Sequence, residues 1–76
     1  MPTVLRSGPY RFYAGDRNEP LHVHVERDDR ETKVWLDPVR LEYSRGFGRV
    51  EINRILSLVE SNRQRLVSAW NAYFNG

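Results

Sequence analysis

His22 and His24 stand two residues apart in the run Leu21-His22-Val23-His24-Val25-Glu26, where apolar and polar residues alternate. Lys33 and Trp35 have the same spacing in Glu31-Thr32-Lys33-Val34-Trp35-Leu36. Imidazole titrates near neutral pH, so a pair of rings can take and return protons. A nearby ammonium can stabilise charge developing on a phosphorane. His22, His24 and Lys33 are therefore candidates for metal-free cleavage of RNA, and the Trp35 indole is a platform for base stacking. Two other chemistries stay open. A His-x-His pair on a strand puts both imidazoles on one side, as a metal site needs. Its third ligand would come from Asp37, Asp28 or Glu26, and no spacing dictates one, so no metal or cofactor is expected. The other reading is the plainer and commoner one, in which amphipathic strands offer a binding surface and no chemistry.

Strand parity carries the patch. If Val23 and Val25 face a core, His22 and His24 face away from it; if Val34 and Leu36 face in, Lys33 and Trp35 face out. A slip of one residue would bury charge and expose the valines. A two-residue loop at Asp28-Asp29 sets His24 opposite Lys33 and His22 opposite Trp35, and a shift of two residues sets His24 beside Trp35 instead.

The remaining elements follow from periodicity. Val4–Arg6 and Tyr10–Tyr13 read as strands joined through Ser7-Gly8-Pro9, and Ala14–Pro20 is a turn-rich loop. Pro38 cannot donate to a ladder, so the Lys33 strand stops near Asp37. Val39–Tyr43 alternates as well and suits a short edge strand. Beyond Ser44-Arg45-Gly46, apolar residues recur at Ile52, Ile55, Leu56, Val59, Leu66, Val67, Trp70 and Phe74, one stripe of a long amphipathic helix. Phe47, Gly48 and Ile52 fit its N′, N-cap and N4 positions, and Glu51 sits at N3, where a carboxylate complements the helix dipole. Arg63 falls in an apolar slot, which leaves open whether the helix runs straight or kinks near Ser61-Asn62. The fold class is α+β: about four antiparallel strands packed by one C-terminal helix, a single domain with residues 1–43 as the sheet half and 47–75 as the helical half.

Composition narrows the setting. There is no Cys among the 76 residues, which excludes disulfides and thiolate metal sites and suits a reducing cytoplasm. No apolar run has the length of a signal-peptide core or a membrane span. Net charge is +2, with the basic residues weighted to Arg, whose planar donors match phosphate and carboxylate. Arg11, Tyr13 and Arg40 join Trp35 as candidate binding residues around the patch. An exposed indole and a free sheet edge near Val39–Tyr43 call for a partner, and self-association is the competing expectation.

Several segments together resemble a known family: Pro2–Arg6, Tyr10–Tyr13, Glu19-Pro20-Leu21-His22-Val23-His24-Val25, Lys33-Val34-Trp35-Leu36-Asp37-Pro38-Val39, Gly46-Phe47 and Ala69-Trp70-Asn71. Their order resembles the bacterial domain-of-unknown-function family 4160 over nearly the whole chain. Leu21 departs from the family's second Pro before the histidines, and Gly48 from its usual Ser at the helix cap. The resemblance implies the toxin half of a type II toxin–antitoxin module, acting on RNA or translation and neutralised by a small antitoxin encoded by an adjacent gene. It supplies no catalytic residues.

Overall fold

The computed structural model describes residues 3–15 and 18–75. Of the loop expected over Ala14–Pro20, Asp16 and Arg17 lie outside the described residues, as do Met1 and Pro2 of the N-terminal segment. Five strands precede two helices: β1 (Thr3–Ser7), β2 (Tyr10–Ala14), β3 (His22–Arg27), β4 (Arg30–Leu36), β5 (Val39–Arg45), α1 (Arg49–Ser61) and α2 (Arg63–Asn75). The strands form one antiparallel meander in the order β1-β2-β3-β4-β5. The α+β class stands, and two details of the expectation are corrected. The fifth strand is a full seven residues, and the single long helix is two helices of 13 residues each.

Period-two alternation builds the inner face. Tyr10, Phe12 and Ala14 of β2, Val23 and Val25 of β3, and Val34 and Leu36 of β4 are all buried. Phe47, Ile55, Val59 and Leu66 close over them from the helical half to form the core. Removing each of these large side chains from water contributes roughly 1.5–3 kcal/mol, the main support for so small a domain. Ile52, Leu56 and Val67 of the expected stripe pack partly buried at the rim of this core. Trp70 and Phe74 are only half-buried, their rings 4.5 Å apart near the end of α2.

The helix breaks for a local reason. The Asn62 side chain donates to the Leu58 carbonyl at 2.8 Å while its own backbone leaves helical geometry at φ −111° and ψ 14°. Arg63, the cation in the apolar slot, turns back to the sheet instead of lying against the core. Its Nε donates to the Leu36 carbonyl at 2.7 Å, and its guanidinium pairs with Asp37 at 3.0 Å.

β-bulges interrupt both edge pairings, between Thr3 and Leu5 on β1 and opposite Lys33 and Val34 on β5. The second one matters for the outer face. Simple alternation puts Val39, Leu41 and Tyr43 on one side; the bulge keeps Leu41 opposite Val34 on the core side and turns Tyr43 to face Lys33 on the other.

Candidate functional site

The two-residue loop at Asp28-Asp29 fixes the β3–β4 register, with Asp28 in the left-handed region at φ 56°. His24 lies opposite Lys33, and His22 opposite Trp35. All four side chains share the outer face, turned away from the helices, and Tyr13 joins them because it pairs with His24 across β2 and β3. The His22 and His24 rings meet edge to face at 5.3 Å, and His22 and Trp35 do so at 5.6 Å. The Tyr13 ring lies nearly parallel to His24 at 5.1 Å. Lys33 Nζ stands 4.7 Å above the Trp35 ring.

The cluster is more enclosed than a solvated strand face. His22 is completely buried, and Lys33 is 9% exposed. The loop before β3 does the covering. Glu19 brings a carboxylate oxygen to 2.6 Å from Lys33 Nζ and 3.7 Å from His22 Nε2. His22 Nδ1 lies 2.8 Å from the Pro20 carbonyl, which can only accept, so Nδ1 carries the ring proton. Nε2 is buried without a hydrogen-bond partner. It points at Gly15, where a β-carbon would lie 1.8 Å from His22 Nε2 and 2.7 Å from His24 Nε2. Only glycine lets the chain pass so close to the two rings.

Glu31 supplies the second carboxylate. It accepts hydrogen bonds from the Tyr43 hydroxyl at 2.6 Å and the Tyr13 hydroxyl at 3.2 Å, and it faces His24 Nδ1 at 3.6 Å. Those donors, Tyr43 first, hold the Glu31 carboxyl below the usual range. Burial, helped by Glu31, pushes both phenols up to about 12. Burial and then the neighbouring His22 lower the His24 pKa, outweighing the opposing pull of Glu31. Near neutral pH the site holds an ionised Glu31, two phenol donors and a neutral His24 imidazole. His24 keeps 17% of its side chain exposed.

The candidate binding residues rim this centre unevenly. Arg11 stacks over Tyr13 at 4.6 Å but is paired with Glu26 at 2.6 Å. Trp35 is half-buried, and its indole N–H donates to Glu42 at 2.5 Å. Arg40 is exposed at the β5 edge opposite Trp35. The three possible third metal ligands turn elsewhere: Glu26 to Arg11, Asp37 to Arg63, and Asp28 to Arg27 at 4.0 Å. Among the described residues no group of three or more His, Cys, Asp or Glu side chains is placed to hold a metal ion.

Sequence reasoning missed Gly15, Glu19, Glu31 and Tyr43. Glu31 shares the parity of Lys33 and was readable on that ground. Tyr43 was not, because the bulge reverses its face, and Gly15 and Glu19 reach the rings through a loop path that has no period.

Residues 10–71 match the family model described as Domain of unknown function (DUF4160). The chain belongs to this family. The match runs from β2 to α2 and so spans every residue of the outer-face cluster. No curated protein and no solved structure matches the chain. No helix among the described residues is long and apolar enough to cross a membrane.

Proposed function

We propose that this member of the DUF4160 family is the toxin-like half of a bacterial two-gene module, acting on RNA or translation when free and neutralised in the cytoplasm by a small protein encoded beside it. The observation that carries this reading is the one-sided architecture: the helical half packs on the inner face of the sheet, while the outer face displays a neutral imidazole, stacked rings and guanidinium groups. A flat sheet face with aromatic and cationic side chains suits single-stranded nucleic acid, where bases stack and phosphates meet Arg. The accessible group at its centre is His24, and His22 and Lys33 lie behind it.

Expressing the chain in bacteria alone and together with its neighbouring gene tests the proposal. Growth arrest that the neighbour relieves is the expected result, and healthy cells in both cultures would end the toxin reading. Where arrest occurs, replacing His22 and His24 by Ala separates chemistry from binding, and full toxicity in the double variant would remove catalysis.

A second reading has its own support. His22 has no exposed surface and the Lys33 ammonium is bound to Glu19, so two of the three candidate catalytic groups are internal. A non-enzymatic protein- or DNA-binding regulator needs no more than the rim. It would leave RNA intact after prolonged incubation while forming a stable complex with the neighbouring protein on size-exclusion chromatography.

A further inference from the structure

Three strands and their side chains converge on a single imidazole edge. Glu31 Oε2 faces His24 Nδ1 at 3.6 Å, a charge contact just beyond hydrogen-bond distance to a buried Nδ1 that has no hydrogen-bond partner, and the carboxylate is fixed from both sides by the hydroxyls of Tyr43 and Tyr13. The Tyr13 ring is stacked on one face of His24 at an interplanar angle of 13°, and the His22 ring abuts it edge-on. A carboxylate attracts an N–H and repels a lone pair, so in the neutral ring its charge favours the proton on Nδ1 and the lone pair on Nε2. With no side chain at Gly15, the β-carbon that would stand 2.7 Å from Nε2 is absent. The ring is thus packed from three sides, with 17% of the His24 side chain exposed.

We infer that Glu31 is the positioning residue for His24, and that the dyad makes His24 Nε2 a general base toward a ribose 2′-hydroxyl of RNA; this rests on the RNA-directed reading above. Carboxylate, imidazole and phenols act in their ordinary roles. Glu31 holds the tautomer and offsets the imidazolium charge that forms, while Tyr13 and Tyr43 hold Glu31. In the reaction, Nε2 takes the 2′-hydroxyl proton and the 2′-oxygen bonds to the adjacent phosphorus. The bond from phosphorus to the 5′-oxygen breaks, and that oxygen takes a proton from water. The hydroxide left behind removes the proton from His24, so the products are a 2′,3′-cyclic phosphate and a 5′-hydroxyl. The other charged groups around His24 are His22 on its own strand, Lys33 beside Glu31 on β4, and Glu19 in the covering loop, which is directed to Lys33 and His22. The neutral state that burial and His22 favour at His24 is the one a base requires.

Two measurements on the full-length chain test the inference. The first is nitrogen-15 NMR of the histidine rings across pH; the second is cleavage of a single-stranded RNA oligonucleotide, with the cyclic-phosphate end identified. The wild type is expected to show His24 protonated at Nδ1 when neutral. Glu31→Gln should mix the two tautomers and lower the His24 titration midpoint, because it removes the carboxylate that favours the charged ring. It should also lower kcat on the order of tenfold or more with KM unchanged, and His24→Ala on the order of 10²-fold or more. Tyr43→Phe, which keeps the ring and loses only a donor to Glu31, should shift both readouts in the same sense by less and guards against a Glu31 variant that fails to fold. Ring signals and midpoint unchanged in Glu31→Gln and Tyr43→Phe would overturn the dyad. Intact RNA with a Glu31-dependent His24 signal would instead overturn the RNA-directed reading and the base role with it.

Discussion

Gly15 is glycine for want of space. Unlike Gly8 and Gly46, whose φ values of 57° and 89° favour glycine on backbone grounds, it is confined by the two imidazoles beside it. The Gly15→Ala variant drives a methyl group to 1.8 Å from a ring nitrogen that has no exposed surface to retreat into. A loss of roughly 1–3 kcal/mol is expected, as for other overpacked cores. That corresponds to a drop of about 5–20 °C in Tm for a domain this small, read by thermal melting. An unchanged melt would mean that the loop does not lie on the rings. His24 makes a second prediction. Its folded pKa is lowered below the ordinary 6.5, by burial first and then by His22, so folding favours the neutral ring. Its contribution to stability is whole above pH 6.5 and is lost as pH falls from there through the depressed folded value. Glu31, held low first by its Tyr43 hydrogen bond, loses its contribution only in a lower window, as pH drops below the ordinary 4.5. Urea midpoints measured from pH 8 to pH 3 should therefore decline in two stages, and His24→Gln should remove the upper one.

At the scale of elements, the strands were legible because each carries the period of a half-buried sheet, while the pairing register was left open between two alternatives, of which the structure has the one with the two-residue loop at Asp28-Asp29. Two departures from periodicity were not legible. An extra residue in β5 reverses which face Tyr43 presents, and nothing in Val39–Tyr43 marks it. The misplaced cation at Arg63 was visible in the sequence, but the tie it makes lies 27 residues away at the Leu36 carbonyl. Arg63→Leu tests that tie. It restores an unbroken apolar stripe on the helix yet strips the carbonyl of its donor and Asp37 of its partner. The variant should be less stable by about 1 kcal/mol, with amide exchange in α2 accelerated more than in α1. A gain in stability would show that the stripe, and not the tie to the sheet, governs how α2 docks.

In the molecule as a whole, the apolar core is supplemented by a carboxylate that ties sheet to helix on the side away from the histidines. Glu51, in the first turn of α1, accepts from the Tyr10 hydroxyl at 3.0 Å and from Arg27 and Arg30 at 2.6 and 3.3 Å. It thereby joins β2, both strands of the β3–β4 hairpin and the start of α1. These donors hold its carboxyl low against the opposing effect of burial. Glu51→Gln should lower Tm and weaken the coupling of helix to sheet, with the deficit shrinking at high salt as the wild-type ion pairs are screened. A melt insensitive to both variant and salt would place the coupling in the apolar core alone.

Local composition and period determined that this chain makes an antiparallel sheet followed by helix, and that His22, His24, Lys33 and Trp35 leave the sheet on the same side. Those facts depend on neighbours one to four residues apart, and such spacings are written in the sequence. Tertiary structure alone decided that His22 and Lys33 lie beneath a loop, that Tyr43 crosses to the histidine side, and that two phenols hold Glu31 facing His24. Each of these depends on the path of a loop or on one bulged residue, and neither has a period from which it can be read.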